Sequence, residues 1–244
     1  MKLYTGTSGF SYKEWIGNFY PEKTKPDRML GYYASRLGVV EINNTFYRMP
    51  KKEVVAKWDH ETPESFLFSI KASRKITHIK RLKDAEDETG FLLSNIGVLG
   101  DKLGAVLFQF PPYFKKNAER LGDYLRILPE GLPAVFEFRD DSWYDDEIAG
   151  LLSARRFIFC FSDVDEKGAP AIINTADWGY LRLRRREYSA GDLAEWADRI
   201  RAQGWNRALV FFKHEGEGVG PNTAMEFSGL FASRGSGRSY PGAA

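Results

Sequence analysis

The chain has 244 residues, 43% hydrophobic and 15% aromatic, with a formal net charge of +2. That length suits a single α/β domain with a sizeable core, and so small a net charge excludes bulk electrostatics as grounds for a nucleic-acid or membrane partner. The single cysteine, Cys160, excludes an intramolecular disulfide and a cysteine-type zinc site.

Short β-branched or aromatic runs recur along the chain. Strands are expected at 2–6 (KLYTG), 39–46 (VVEINNTF), 66–72 (FLFSIKA), 105–110 (AVLFQF), 134–139 (AVFEFR), 157–163 (FIFCFSD), 180–184 (YLRLR) and 208–214 (ALVFFKH). Amphipathic helical segments separate them at 25–38, 51–61, 85–102, 117–128, 145–156 and 190–204, and a last one follows at 222–231. The connection at 166–178 leaves room for only a short or irregular sixth helix. Strands alternating with helices indicate parallel βαβ units, and eight of them predict a (β/α)8 TIM-type barrel. An open doubly wound sheet would carry a glycine-rich phosphate turn after its first strand, and GTSGFSYKEW lacks that spacing. The expected domain is 1–232, with the Gly/Ser-rich 233–244 as a frayed tail. MKLYTGTSGF lacks the apolar run of a secretory leader, and no apolar segment is long enough to cross a bilayer. Cys160, within FIFCFSD, reads as a core thiol, and one cysteine suits a reducing cytoplasm, the expected location.

Alternation along the strands then singles out a polar set. In AVFEFR, Phe136 and Phe138 share one face, and Val135, Glu137 and Arg139 the other. The apolar face must meet the helices, so the polar face points toward the barrel axis. The same reasoning gives Ser8, Glu41, Asn43, Lys71, Gln109, Asp163, Arg182, Arg184 and Lys213 at the ends of the other strands. Barrel interiors kept for stability alone are filled by Val, Ile and Leu, and active sites lie at the C-terminal face. Buried charge must be paired, so a closed ion network is the competing account, and a ligand site is the favoured one.

Two loops flank that face. SGFSYKEWIGNFYP carries Tyr12 and Trp15, and KASRKITHIKRLK carries Lys71, His78 and several more cations. Taken separately, a core beneath a long loop and a solvated surface would explain them. Together they suit an anionic ligand or stacked nucleic-acid bases. His78 could act as general acid or base. Lys213, His214, Glu215 and Glu217 with the inward carboxylates offer a divalent-metal alternative, which the neighbouring cations oppose; no cofactor is expected.

GTSGFSYKEWIGNFYP, YYASRLGVVEINNTFYRMP, FLFSIKASRKITH, GAVLFQFPP, FEFRDDSW and YLRLRRREYSAGDLAEWADRI together resemble the DUF72 (YecE-like) family, from Thr5 to about Phe227. The resemblance implies a TIM-type barrel and no assigned activity. Its pattern falls on Gly6, Ser8, Gly9, Tyr12 and Trp15, then on Glu41, Asn43, Thr45, Phe46, Tyr47 and Pro50. It continues through Lys71, Thr77, His78, Gln109, Pro111, Pro112, Arg139, Trp143, Asp163 and Arg182. FFKHEGEGVGPNTAMEF departs from the commoner pattern, with Lys213 and His214 in place of an asparagine and Asn222 retained.

The expectation is an enzyme, a hydrolase, lyase or isomerase, acting on a phosphorylated or otherwise anionic small molecule. Glu41, Glu137, His78 and Asp163 are the candidate catalytic groups. Ser8, Tyr12, Trp15, Asn43, Tyr47, Lys71, Gln109, Arg139, Trp143, Arg182 and Lys213 are the candidate binding groups. A nucleic-acid-binding protein using the basic third loop, and a non-catalytic ligand-binding module, are the alternatives. Oligomeric state is not legible in the sequence.

Overall fold

The computed structural model describes residues 1–163, 171–213 and 218–232. The strands are β1 (Lys2–Ser8), β2 (Val39–Ile42), β3 (Leu67–Lys71), β4 (Leu103–Gln109), β5 (Ala134–Glu137), β6 (Ile158–Phe159), β7 (Phe161–Asp163), β8 (Trp178–Leu183) and β9 (Arg207–Phe212). Around them lie α1 (Pro26–Ala34), α2 (Lys52–His60), α3 (Glu86–Ile96), α4 (Ala118–Ile127), α5 (Asp146–Ala154), α6 (Ala190–Arg201) and α7 (Val219–Ala232). Every strand pairing is parallel.

The order across the sheet is β6-β5-β4-β3-β2-β1-β9-β8-β7. Its two ends, β6 and β7, are separated in the chain only by Cys160, whose amide donates to the Phe136 carbonyl at 2.8 Å. One stave therefore pairs with β5 by its first half and with β8 by its second, and the sheet curls round into a TIM-type α/β barrel. The expected eight staves are present as nine strand segments. Residues 171–177 hold no helix, and 164–170, like the expected tail at 233–244, fall outside the described residues.

Alternation divides the core into two layers. Val40, Ile42, Phe68, Ile70, Val106, Phe108, Phe136, Phe138, Leu181 and Leu183 face the helices. Val39, Leu67, Ala105, Leu107, Val135, Ile158, Cys160, Trp178, Tyr180, Leu209 and Phe211 fill the barrel. Cys160 is the core thiol that its setting implied, and burial raises its pKa well above normal. Gly6 is required by the β1–β2 approach: a Cβ there would stand 1.8 Å from the Val39 carbonyl oxygen.

The two strands that carry the buried carboxylates stop short of expectation. β2 ends at Ile42 because the Thr45 hydroxyl donates to the Ile42 and Lys71 carbonyls, at 3.0 and 2.7 Å, and the chain curls into a 3-10 turn, Asn44–Phe46. β5 ends at Glu137 and passes into a second such turn, Asp141–Trp143. Asn43 and Arg139 thus stand just beyond their strands, at the rim.

Candidate functional site at the barrel mouth

Register sets the inward polar residues at nearly one height: Ser8 pairs with Glu41, Glu41 with Ser69, Gln109 with Glu137, and Arg182 with Phe211. At the centre, Arg182 bridges two carboxylates. Its Nη2 donates to Glu41 Oε1 at 2.9 Å and its Nη1 to Glu137 Oε2 at 2.5 Å. All three side chains are essentially inaccessible to solvent.

Both acids are saturated. Glu41 also accepts from Ser8 Oγ at 2.9 Å, Asn43 Nδ2 at 2.8 Å and the Tyr180 hydroxyl at 2.6 Å. Gln109 Nε2 reaches both oxygens of Glu137 at 2.8 and 2.9 Å, and Arg139 Nε lies 3.6 Å from Oε1. Burial opposes the Glu41 charge, but Arg182 and the hydrogen bonds overcome it and hold the pKa at about 2. Glu137 is lowered in the same way, with burial outweighed by Arg182, Arg139 and Arg184. A carboxylate so placed is ionised, fully engaged and a weak base at neutral pH. Roles as general base, or as a paired acid and base, do not fit Glu41 and Glu137. Their geometry is that of the closed ion network, worth little in net stability yet costly to break at one partner.

Above this floor the charge balance reverses. Lys71 Nζ donates to Gln109 Oε1 at 2.7 Å and stands 4.3 Å from the Phe46 ring centroid. Arg139 adds its charge to that of Lys71, and Arg184, which acts on Glu137, Glu41, Arg182 and Arg139, makes no side-chain hydrogen bond or ion pair among the described residues. Among the described residues Glu41 and Glu137 face Arg182, Lys71, Arg139 and Arg184, so two negative charges meet four positive ones, an excess of two. Burial, reinforced by Arg182 and Arg139, lowers Lys71 to about 8. Burial and the charges of Lys71, Arg139 and Arg74 lower His78 to about 4, so its imidazole is neutral at pH 7. His78 Nδ1 sits 2.9 Å from the Thr77 hydroxyl, and its ring meets Phe46 edge-on at 4.8 Å. The Asn43 Oδ1 acceptor is buried without a partner among the described residues.

Other expected site residues lie elsewhere. Asp163 is in phase with Phe161, whose ring faces the helices, so it points out of the barrel. It accepts from the Arg184 amide and from the Tyr188 hydroxyl at 2.6 Å, and pairs with Arg185 at 3.3 Å, pinning the loop after β8. Trp143 is fully buried, stacked on Phe138 at 4.5 Å, and its indole N–H donates to the Phe114 carbonyl at 2.6 Å. Trp15 is equally buried, in a ring cluster with Tyr12, Phe19 and Tyr20. Both tryptophans are core residues beneath loops. Tyr12 is half-buried and donates to the Ser8 carbonyl at 2.8 Å, which places it near Glu41; burial raises it to about 12. Tyr47 is 74% exposed on the rim. Lys213 is half-buried just past β9; His214, Glu215 and Glu217, which the metal alternative used, fall outside the described residues. Among the described residues no three His, Cys, Asp or Glu side chains converge on one point.

Residues 4–242 match the family described as "Protein of unknown function DUF72". The chain belongs to the DUF72 family. It is 30% identical over 191 residues to the UPF0759 protein YunF of Bacillus subtilis, covering 72% of this chain and 66% of that protein. It is 28% identical over 138 residues to the UPF0759 protein YecE of Escherichia coli K12, covering 57% of this chain and 43% of that one. The chain thus spans two thirds or less of these curated relatives. A solved DUF72 protein from Thermotoga maritima superposes with a TM-score of 0.82 at 28% identity, over 95% of this chain and all 100% of that one. An Enterococcus faecalis member superposes at 0.77 with 21% identity, over 95% and 98%.

In this DUF72 protein, sequence reasoning missed Tyr180, which donates to Glu41 and shares a 2.7 Å hydrogen bond with Ser69. The signal was present: Tyr180 precedes Arg182 by two positions and so shares its face. Among the described residues no helix is long and apolar enough to cross a membrane.

Proposed function

We propose that this DUF72 protein is an enzyme acting on a phosphorylated or otherwise anionic small molecule held at the C-terminal mouth of the barrel. The observation that carries this reading is the cation excess above the closed triad. Arg182 holds both buried carboxylates, Arg139 reaches Glu137 only at 3.6 Å, and among the described residues Lys71 and Arg184 pair with no carboxylate. Arginine forks suit a phosphate or carboxylate. Asn43 Oδ1 would accept from a ligand hydroxyl. The neutral imidazole of His78 offers a proton acceptor beside the mouth, and the lowered amine of Lys71, at about 8, is the ionisable group poised near neutrality.

Calorimetric titration with inorganic phosphate and small phosphorylated metabolites tests it. Binding that weakens about tenfold or more in Arg139→Ala and Arg184→Ala is expected. If no anion binds, or the variants bind as well as the parent, the mouth is a structural network only. Turnover of a bound ligand separates an enzyme from a binding module.

A second reading has its own observation. Tyr47, Ile79 and Tyr113 are 74%, 58% and 63% exposed on the loops after β2, β3 and β4, among the exposed Arg48, Arg74 and Lys75. Rings among cations suit single-stranded nucleic acid. Oligonucleotide binding that falls steeply with salt would favour it, and none at low salt would remove it.

A further inference from the structure

We infer that Lys71 is a nucleophilic amine that condenses with the carbonyl carbon of the anionic ligand to form an imine. The inference rests on the anion-site reading and narrows the substrate class to a phosphorylated or carboxylated aldehyde or ketone.

The placement of the amine carries it. A lysine kept as a counter-charge would face a carboxylate. Here two carboxylates lie in the same barrel, yet among the described residues none is within 4 Å of Lys71 Nζ, because both are turned onto Arg182. Among the described residues the one hydrogen bond the Lys71 amine makes is to a neutral amide, Gln109 Oε1 at 2.7 Å. That bond holds the nitrogen at the height of the mouth. Gln109 is itself fixed by its two contacts to Glu137. The lysine sits at the end of β3, half-buried, so its tip meets the mouth while its stem is packed.

A lysine meant only to attract anions works best fully hydrated and charged. This one is desolvated among the cations Arg182 and Arg139, with Glu41 and Glu137 as partial compensation, and those are conditions that favour the neutral amine. The Phe46 ring favours the charged form and is outweighed. Arg139 and Arg184 already supply anion recognition, which leaves the amine for chemistry. The neutral His78 imidazole packs on the same Phe46 ring and is available to carry protons.

The step balances without any further reactant. The Lys71 nitrogen lone pair attacks the carbonyl carbon, and the C=O π pair moves to oxygen. A proton passes from nitrogen to that oxygen, giving the carbinolamine. Protonation of the hydroxyl and loss of water leave the protonated imine, which gives the borrowed proton back from nitrogen when it becomes the neutral imine, so amine plus carbonyl gives imine plus water overall. The protonated imine can then withdraw electrons from a neighbouring C–H or C–C bond, as the lyase and isomerase readings require.

Reductive trapping tests it. The protein is incubated near neutral pH with glycolaldehyde phosphate and cyanoborohydride, and adducts are located by peptide mass mapping. Lys71 should be modified about tenfold faster than any other lysine. Inorganic phosphate should slow that labelling, and Arg139→Ala with Arg184→Ala should slow it about tenfold. Lys71→Arg, shown to fold by its thermal midpoint, should lose the fast phase. Labelling spread over surface lysines with Lys71 lagging would overturn the inference. If phosphate binds by calorimetry but Lys71 lags, the amine role fails and the anion site stands. If uncharged glycolaldehyde labels Lys71 as fast as its phosphate, the nucleophile stands and the anionic substrate class fails.

Discussion

Arg182 is the residue on which the interior turns. It carries one positive charge between two buried negative ones, so removing any partner leaves an uncompensated charge in low dielectric. Glu41→Gln is expected to cost about 3–5 kcal/mol in denaturant unfolding. The acid limb has a definite sign. The folded-state pKa of Glu41 is depressed from 4.5 to about 2, so its contribution is present above 4.5 and is lost as pH falls toward 2. At neutral pH that shift corresponds to about 3 kcal/mol. Stability measured from pH 5 to pH 2 should therefore decline in the parent, with a shallower slope in Glu41→Gln. His78 runs from 6.5 down to about 4. The unfolded chain takes up that proton first, so His78 also withdraws stability as pH falls through this window. An NMR titration of the imidazole should find its midpoint near 4; a midpoint at 6 or above would remove the cationic surroundings assigned to it.

At the scale of elements, the mouth depends on short turns locked from behind. Trp143 ends the turn after β5, stacks on Phe138 and Phe110 at 4.5 and 6.0 Å, and caps the Phe114 carbonyl. Trp143→Ala should cost about 3–5 kcal/mol, as for large aromatic deletions in cores, with phosphate affinity falling only if the Arg139 turn shifts. Asp163 plays the corresponding part behind β8 by holding the Arg184 amide and Tyr188. Asp163→Ala is expected to speed hydrogen exchange at the Arg184 and Arg185 amides and to weaken phosphate binding through misplacement of Arg184. Unchanged exchange there would show that the loop is held by something else. The loop after β3 has an unusual backbone: a π-turn, Lys75–Ile79, and then Arg81, Leu82 and Asp84 at φ of 50°, 70° and 48°. Left-handed residues without a glycine are costly and cluster where function demands a shape. This loop carries His78 against Phe46.

For the whole molecule, closure of the sheet decides what the strand ends can do. The stave 158–163 is shared between β5 and β8, and it brings Glu137 and Arg182, 45 positions apart, within one hydrogen bond. Closure also requires β1 and β2 to approach to the distance that only Gly6 permits. Gly6→Ala should therefore cost at least the 1–3 kcal/mol typical of overpacking, read from the unfolding midpoint. The positive excess that the described residues place at one end of an almost neutral chain is a local field. Phosphate affinity at the mouth should weaken as ionic strength rises from 10 mM toward 1 M, where screening shortens from about 30 Å to about 3 Å.

The barrel was legible in the sequence because each stave repeats one local rule: apolar residues at alternate positions, then a turn, then an amphipathic helix. The inward phase of Glu41, Gln109, Glu137 and Arg182 followed from that rule alone. The two tryptophans and Asp163 were misplaced for different reasons. Trp15 and Trp143 look the same in sequence whether a loop folds its rings inward or offers them to a ligand, and only packing beneath the loop chose. Asp163 sits on the stave where Ile158 and Cys160 take the interior, so the helix-facing phase ends on the acid. Which charges pair was decided by tertiary structure. Two carboxylates and four cations permit many pairings, and electrostatic energy at a few ångströms depends on distances that only the closed barrel sets. The sequence by itself determined that charge would point inward; the fold determined that Arg182 would bind both acids and leave Lys71 at the mouth with no acid as its partner among the described residues.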